Sequence, residues 1–158
     1  MKLKGIVDTD VTNYKKLSMF LIFTRCSFKC DLENGTNYCQ NRSLVKNPNV
    51  DISCEELYTR YINNPMTDAI VCGGLEPFDT FEDLLDLIKY FREHDCHDDV
   101  VIYTGYYENE IQDRLDILKH YDNIIVKFGR FKPDQESHFD EVLGINLANT
   151  EQYAAKIS

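Results

Sequence analysis

The run Arg25-Cys26-Ser27-Phe28-Lys29-Cys30 and, a little further on, Tyr38-Cys39-Gln40-Asn41 bring three thiols together along the chain. Thiolates are soft ligands that favour iron-sulfur clusters or zinc. Three of them can hold a cluster and leave one iron open to a substrate, whereas a closed structural site takes four protein ligands. Zinc sites usually pair Cys-x-x-Cys spacings and complete the set with Cys or His; His94, His97, His120 and His138 lie far downstream without a matching spacing. The spacing leaves open a metal site or thiols that are simply buried or incidental.

A second segment, Cys72-Gly73-Gly74-Leu75-Glu76-Pro77-Phe78, follows a short apolar run. Glycines let backbone groups approach a ligand closely, and the carboxyl ends of parallel strands are where α/β folds bind ligands. Alone, such a Gly-Gly pair is a tight turn. Arg25 and Lys29 either favour the thiolate forms of their neighbours or face solvent. Cys54 opens a helix as a solvated or half-buried thiol, Cys72 packs as a small core residue, and Cys96 falls in a polar helix-to-strand turn with His94, Asp95, His97 and Asp98.

The elements that must carry these residues alternate. Ser18 to Phe23 reads as a strand buried on both faces, with the cysteine loop directly after it. From Asp31 to Pro48 no helical or strand period is present, and the segment reads as one long functional loop. Ser53-Cys54-Glu55-Glu56 forms a capping box that opens a helix to about Asn63. Thr67 to Cys72 is a strand, and Thr80 caps a helix with Phe81, Leu84, Leu85, Ile88 and Phe91 on one face. Asp99 to Thr104 is a strand, Glu108 to His120 a helix, and Asn123 to Lys127 a further strand. The alternation predicts an α/β fold with a mainly parallel sheet.

The chain has 158 residues, enough for one domain spanning 1–158, with the candidate cluster loop at about 25–48. Its formal charge of -10 repels nucleic acid and anionic membranes at long range. No apolar stretch is long enough to span a bilayer. Met1-Lys2-Leu3-Lys4 leads into polar sequence rather than a signal segment, so the expectation is a soluble protein in a reducing cytoplasm, where clustered cysteines bind metal or do redox chemistry.

The cysteine segment resembles the radical S-adenosylmethionine (SAM) superfamily, whose signature is CxxxCxxC with an aromatic residue before the last cysteine. Here eight residues separate Cys30 from Cys39, six more than in that pattern. Cys72 to Phe78 resembles the superfamily's Gly-Gly-Glu-Pro motif with Leu75 as one extra residue. Tyr103-Thr104-Gly105-Tyr106 and the tail Asn149-Thr150-Glu151-Gln152 are similar to segments of the anaerobic ribonucleotide reductase activating proteins. The resemblance implies a curved sheet forming an open, partial β/α barrel. It implies a [4Fe-4S] cluster on Cys26, Cys30 and Cys39, and SAM contacts from Tyr38, Cys39, Gln40, Gly73, Gly74 and Glu76. The activity it implies is reductive SAM cleavage and formation of a glycyl radical on a partner, an anaerobic ribonucleoside-triphosphate reductase, with an electron donor such as flavodoxin. An activase of another glycyl radical enzyme, an iron-sulfur electron carrier or sensor that does not cleave SAM, and a zinc-stabilised binding module are the rivals.

Overall fold

The computed structural model describes residues 1–158. Ten strands are formed: β1 (Lys2–Leu3), β2 (Gly5–Asp10), β3 (Ser18–Ile22), β4 (Val50–Asp51), β5 (Ala69–Gly73), β6 (Asp99–Tyr103), β7 (Ile124–Phe128), β8 (His138–Asp140), β9 (Ile145–Leu147) and β10 (Tyr153–Lys156). Four α-helices join them: α1 (Lys29–Asn34), α2 (Cys54–Ile62), α3 (Phe81–Glu93) and α4 (Gln112–Leu118). Six strands make the central sheet in the order β10-β7-β6-β5-β3-β2. The inner ladders β3–β5, β5–β6 and β6–β7 are parallel, while β2 and β10 run antiparallel along the two edges. The fold is therefore mixed α/β with a parallel centre, and its sheet is open, with no closed barrel.

Strand alternation divides the core between the two faces of the sheet. On one face Met19, Leu21, Ile70, Cys72, Val100, Ile102 and Val126 meet the apolar stripes of α2, α3 and α4, including Leu57, Leu84, Ile88, Phe91 and Leu115. On the other, Ala69, Val71, Val101, Ile125 and Ala154 are covered by Tyr14, Leu143 and Leu147. Both faces are thus excluded from water, which is why the inner strands carry no polar alternation.

Ser53 caps α2 as expected: its hydroxyl accepts from Glu56 N at 3.1 Å while Glu56 accepts from Ser53 N at 2.8 Å. Thr80 does not cap α3. A 3-10 turn over Pro77–Thr80 runs straight into the helix, and it is the Glu76 carboxylate that caps this turn. The expected helix from Glu108 to His120 is broken: a 3-10 turn over Glu108–Glu110 is separated from α4 by Ile111, whose φ of -131° is not helical. The long loop also contains α1 and a 3-10 turn over Arg42–Lys46. Cys96 lies in the expected helix-to-strand turn between α3 and β6, but its side chain is buried in the larger core.

Candidate cluster site

Cys26, Cys30 and Cys39 line one cavity of about 550 Å³, walled at its base by residues at the carboxyl ends of the inner strands, among them Ile22, Gly74, Leu75, Tyr103, Thr104 and Lys127. Each thiol arrives by a different local device. Cys26 lies just beyond β3, where Glu76 N donates to Arg25 O at 2.6 Å and fastens the loop to the segment after β5. Phe28 takes a left-handed conformation with φ 53°, unusual for a non-glycine residue, and its N–H donates to Cys26 Sγ at 3.3 Å. Cys30 is carried on α1, and its sulfur accepts from Phe131 N at 3.4 Å. Cys39 N donates to Asp31 Oδ1 at 3.1 Å.

Burial favours the protonated thiol at Cys26 and Cys30 in the free protein. It pushes Cys26 up to about 12, partly offset by the Phe28 N–H, with Glu76 and Asp79 pushing in the same direction as burial. Burial also raises Cys30, against the lowering effect of the Phe131 N–H and of the nearby Arg130 and Lys127 charges. The cations that bear on Cys30 therefore come from β7 and the segment after it. Of the two flanking cations, Arg25 is exposed, and Lys29 pairs with Glu110 at 2.9 Å over the Tyr106 ring.

Arg130, only 1% exposed, is the centre of a charged knot. Its guanidinium donates to both carboxylate oxygens of Glu33 at 2.9 and 2.8 Å, to Glu110 at 2.8 Å and to the Gly105 carbonyl. These bonds tie α1 to the loops after β6 and β7, next to Cys30. Gly105 closes the arrangement because a Cβ there would stand 3.0 Å from Cys30 Sγ.

Glu76, 6% exposed, is fully engaged by the protein itself. Its carboxylate accepts from Gly105 N at 2.8 Å, Thr104 Oγ1 at 2.8 Å and Phe78 N at 3.2 Å, and burial raises its pKa to about 7. Lys127, 7% exposed, is the one cationic side chain among the cavity's lining residues. It donates to Gly129 O at 3.2 Å, and burial lowers its pKa to about 8.

The structure brings Cys26, Cys30, Cys39, Gln40, Gly74 and Glu76 to this cavity. Gly74 has φ +78°, and a Cβ would meet Ile22 Cγ2 at 2.5 Å, so the turn admits only glycine. Gly73 is packed between Phe20 and Tyr103 beneath the cavity, and Tyr38 points outward at 68% exposure. Sequence reasoning missed Asp31, Lys127 and Arg130. Only a charged residue set inside or just after an apolar strand, as in Ile124-Ile125-Val126-Lys127, was there to signal the second.

The donor set fits an iron-sulfur cluster. All six cysteines are free, and Cys26, Cys30 and Cys39 are the three that line the cavity. Backbone N–H groups already point at two of their sulfurs, those of Cys26 and Cys30, and the bare Cα of Gly105 leaves room beside Cys30. No three His, Cys, Asp or Glu side chains close into a single-ion cage, a convergence that a cluster, whose own atoms span the gap between its ligands, does not require.

A search of curated proteins finds no match to this chain. The family model of the 4Fe-4S single cluster domain matches residues 15–146, a span that includes the three cavity cysteines and the Gly-Gly turn. No helix is long and apolar enough to cross a membrane. With most of its length matched, the chain belongs to the 4Fe-4S single cluster domain family.

Proposed function

We propose that this protein is a radical SAM activase that generates a glycyl radical on a partner enzyme. The observation that carries the reading is the company the thiols keep: three cysteines and a single buried cation, Lys127, share one cavity at the carboxyl ends of parallel strands. Its volume of about 550 Å³ suits a nucleoside-sized ligand.

Cys26, Cys30 and Cys39 would hold the cluster, losing their protons as they do so. When bound, the cluster supplies the electron that splits a sulfur-carbon bond of SAM, giving methionine and a 5′-deoxyadenosyl radical that takes a hydrogen atom from the partner's glycine. Lys127, the one cation that lines the cavity, would receive the ligand's carboxylate. Gly74 lets backbone approach the ligand, and Glu76, engaged by Gly105 and Thr104, fixes the wall beside Cys30. Phe20, Ile22, Leu75 and Leu147 supply an apolar surface that excludes water.

The resemblance to anaerobic ribonucleotide reductase activating proteins makes an anaerobic ribonucleoside-triphosphate reductase the proposed partner and flavodoxin the proposed electron donor, in a cytoplasmic setting. The electron-carrier reading requires a fourth protein ligand. Cys72 and Cys96 lie in the helix-covered core and Cys54 packs against it, and none of the three lines the cavity.

Anaerobic reconstitution with iron and sulfide should load about four irons per chain, and a reductant with SAM should yield 5′-deoxyadenosine. Ser variants of Cys54, Cys72 and Cys96 should retain the cluster, whereas those of Cys26, Cys30 and Cys39 should not. A loaded protein that never releases 5′-deoxyadenosine, or that loses its cluster with Cys54, Cys72 or Cys96, would overturn the proposal.

A further inference from the structure

Asp31 follows Cys30 directly, yet its carboxylate serves the far end of the loop. Oδ1 accepts from Cys39 N at 3.1 Å and from the Thr36 hydroxyl at 3.3 Å. Oδ2 accepts from Arg42 Nε at 3.2 Å and Nη2 at 2.6 Å. The side chain is only 4% exposed, although the segment around it is polar and largely open to water.

Burying a carboxylate is costly unless it is paired and hydrogen-bonded, so this loop spends its one buried charge on a particular geometry. Arg42 extends the closure: its guanidinium lies 4.3 Å over the Phe28 ring, and its backbone N–H donates to Cys39 O at 3.1 Å. Asp31, Cys39 and Arg42 close a ring of contacts at the base of the excursion, and Phe28 packs against Arg42. Gly35, at φ +62°, ends α1 and turns the chain back toward Asp31.

Without such a closure, the eight residues between Cys30 and Cys39 would leave the third thiol free to wander. We infer that Asp31 is a positioning residue: its carboxylate, locked by Arg42, pins the backbone of Cys39 and keeps that thiol beside Cys26 and Cys30 despite the long spacing. The inference rests on the cluster reading for the ligating role of Cys39, but the pinning itself exists in the free protein.

The test uses the full chain. In the metal-free protein, timed alkylation followed by peptide mass spectrometry should show Cys39 reacting about tenfold faster in Asp31→Ala than in the wild type, while buried Cys72 and Cys96 stay protected. Asp31→Asn, which keeps an acceptor for Cys39 N but loses one oxygen facing Arg42, should fall between the two. After reconstitution, Asp31→Ala should carry less iron than the wild type and a changed electron paramagnetic resonance spectrum, with Asp31→Asn partly restored.

Unchanged Cys39 reactivity in a folded Asp31→Ala protein would overturn the inference. Should that variant fail to fold, Arg42→Ala takes its place: it leaves the Cys39 bond in place but unlocks the carboxylate, and it should speed Cys39 alkylation by a smaller factor, with no change again overturning the inference. A wild type that takes up no cluster would refute the cluster reading, and the alkylation arm would still decide the role of Asp31.

Discussion

The backbone N–H of Phe131 donates to the sulfur of Cys30 at 3.4 Å, across 101 positions of the chain. The same stretch is held from several sides. Asn34 Nδ2 bridges the Cys30 and Phe131 carbonyls at 2.8 and 3.2 Å, and Asn149 Nδ2 donates to Arg130 O at 2.9 Å. A thiol near the start of the chain thus owes its environment to the segment that follows β7.

Replacing Arg130 should cost stability because its guanidinium is buried among partners that would be left unpaired. Breaking such a pair costs about 3–5 kcal/mol; with the Glu33 side chain half exposed, the loss for Arg130→Ala belongs at the lower end, about 3 kcal/mol. Arg130→Lys keeps the charge but loses the fork, so it should lose less. Urea unfolding of the three proteins checks the order; equal losses for Ala and Lys would show that the charge contributes nothing without the fork.

Glu76 makes stability depend on pH. Its folded pKa, about 7, lies above the ordinary 4.5. Below 4.5 both states are protonated and the buried carboxyl carries no ionisation penalty; between 4.5 and 7 the unfolded chain ionises while the folded one keeps its proton, so stability falls as pH rises. The full loss above pH 7 is about 3 kcal/mol. Glu76→Gln cannot ionise. The difference in unfolding free energy between wild type and variant should therefore change across this window in the variant's favour as pH rises, and a constant difference would reject the linkage.

Lys127 gives up hydration to line the cavity, and its lowered pKa is the sign of that cost. Lys127→Met should be no less stable than the wild type, since it replaces a buried cation by an apolar side chain of similar length. Its affinity for S-adenosylhomocysteine should fall about tenfold, the loss of one charge-assisted hydrogen bond. Calorimetric titration supplies the affinity and thermal unfolding the stability. Undiminished binding would remove Lys127 from the ligand site.

Two glycines separate strain from collision. Gly35 has φ +62° with nothing within 4 Å of an added Cβ, so Gly35→Ala should cost about 1 kcal/mol from backbone conformation alone. Gly74→Ala adds the encounter with Ile22 to a similar conformation and should cost about 2–4 kcal/mol. Equal losses in urea unfolding would mean that the strand end yields to the methyl group without penalty.

The inner strands and the capping box of α2 were legible because burial on both faces and reciprocal capping leave local marks. The edge strands were not. Residues Val7 to Thr9 of β2 are exposed and polar in part, and β10 is built on two alanines, so neither shows the apolar run of an inner strand. α1 is only six residues long, with no period to detect; it is held by tertiary bonds such as Glu33 to Arg130. At the site, the cysteines and the Gly-Gly turn announced themselves by residue type and spacing. Asp31, Lys127 and Arg130 did not, because each acquires its role from partners that only the folded sheet brings near.

The span between Cys30 and Phe131 also sets a timetable. A ribosome releases Cys26, Cys30 and Cys39 long before Thr104, Lys127 and Leu147, which complete the cavity around them. Until β7 and the segment after it have joined the sheet, the wall around the thiols is incomplete and the Phe131 amide does not yet face Cys30. Iron and sulfide therefore have a finished pocket to enter only at the end of synthesis, and a nascent chain stalled before β7 would expose three unprotected cysteines to any oxidant it meets.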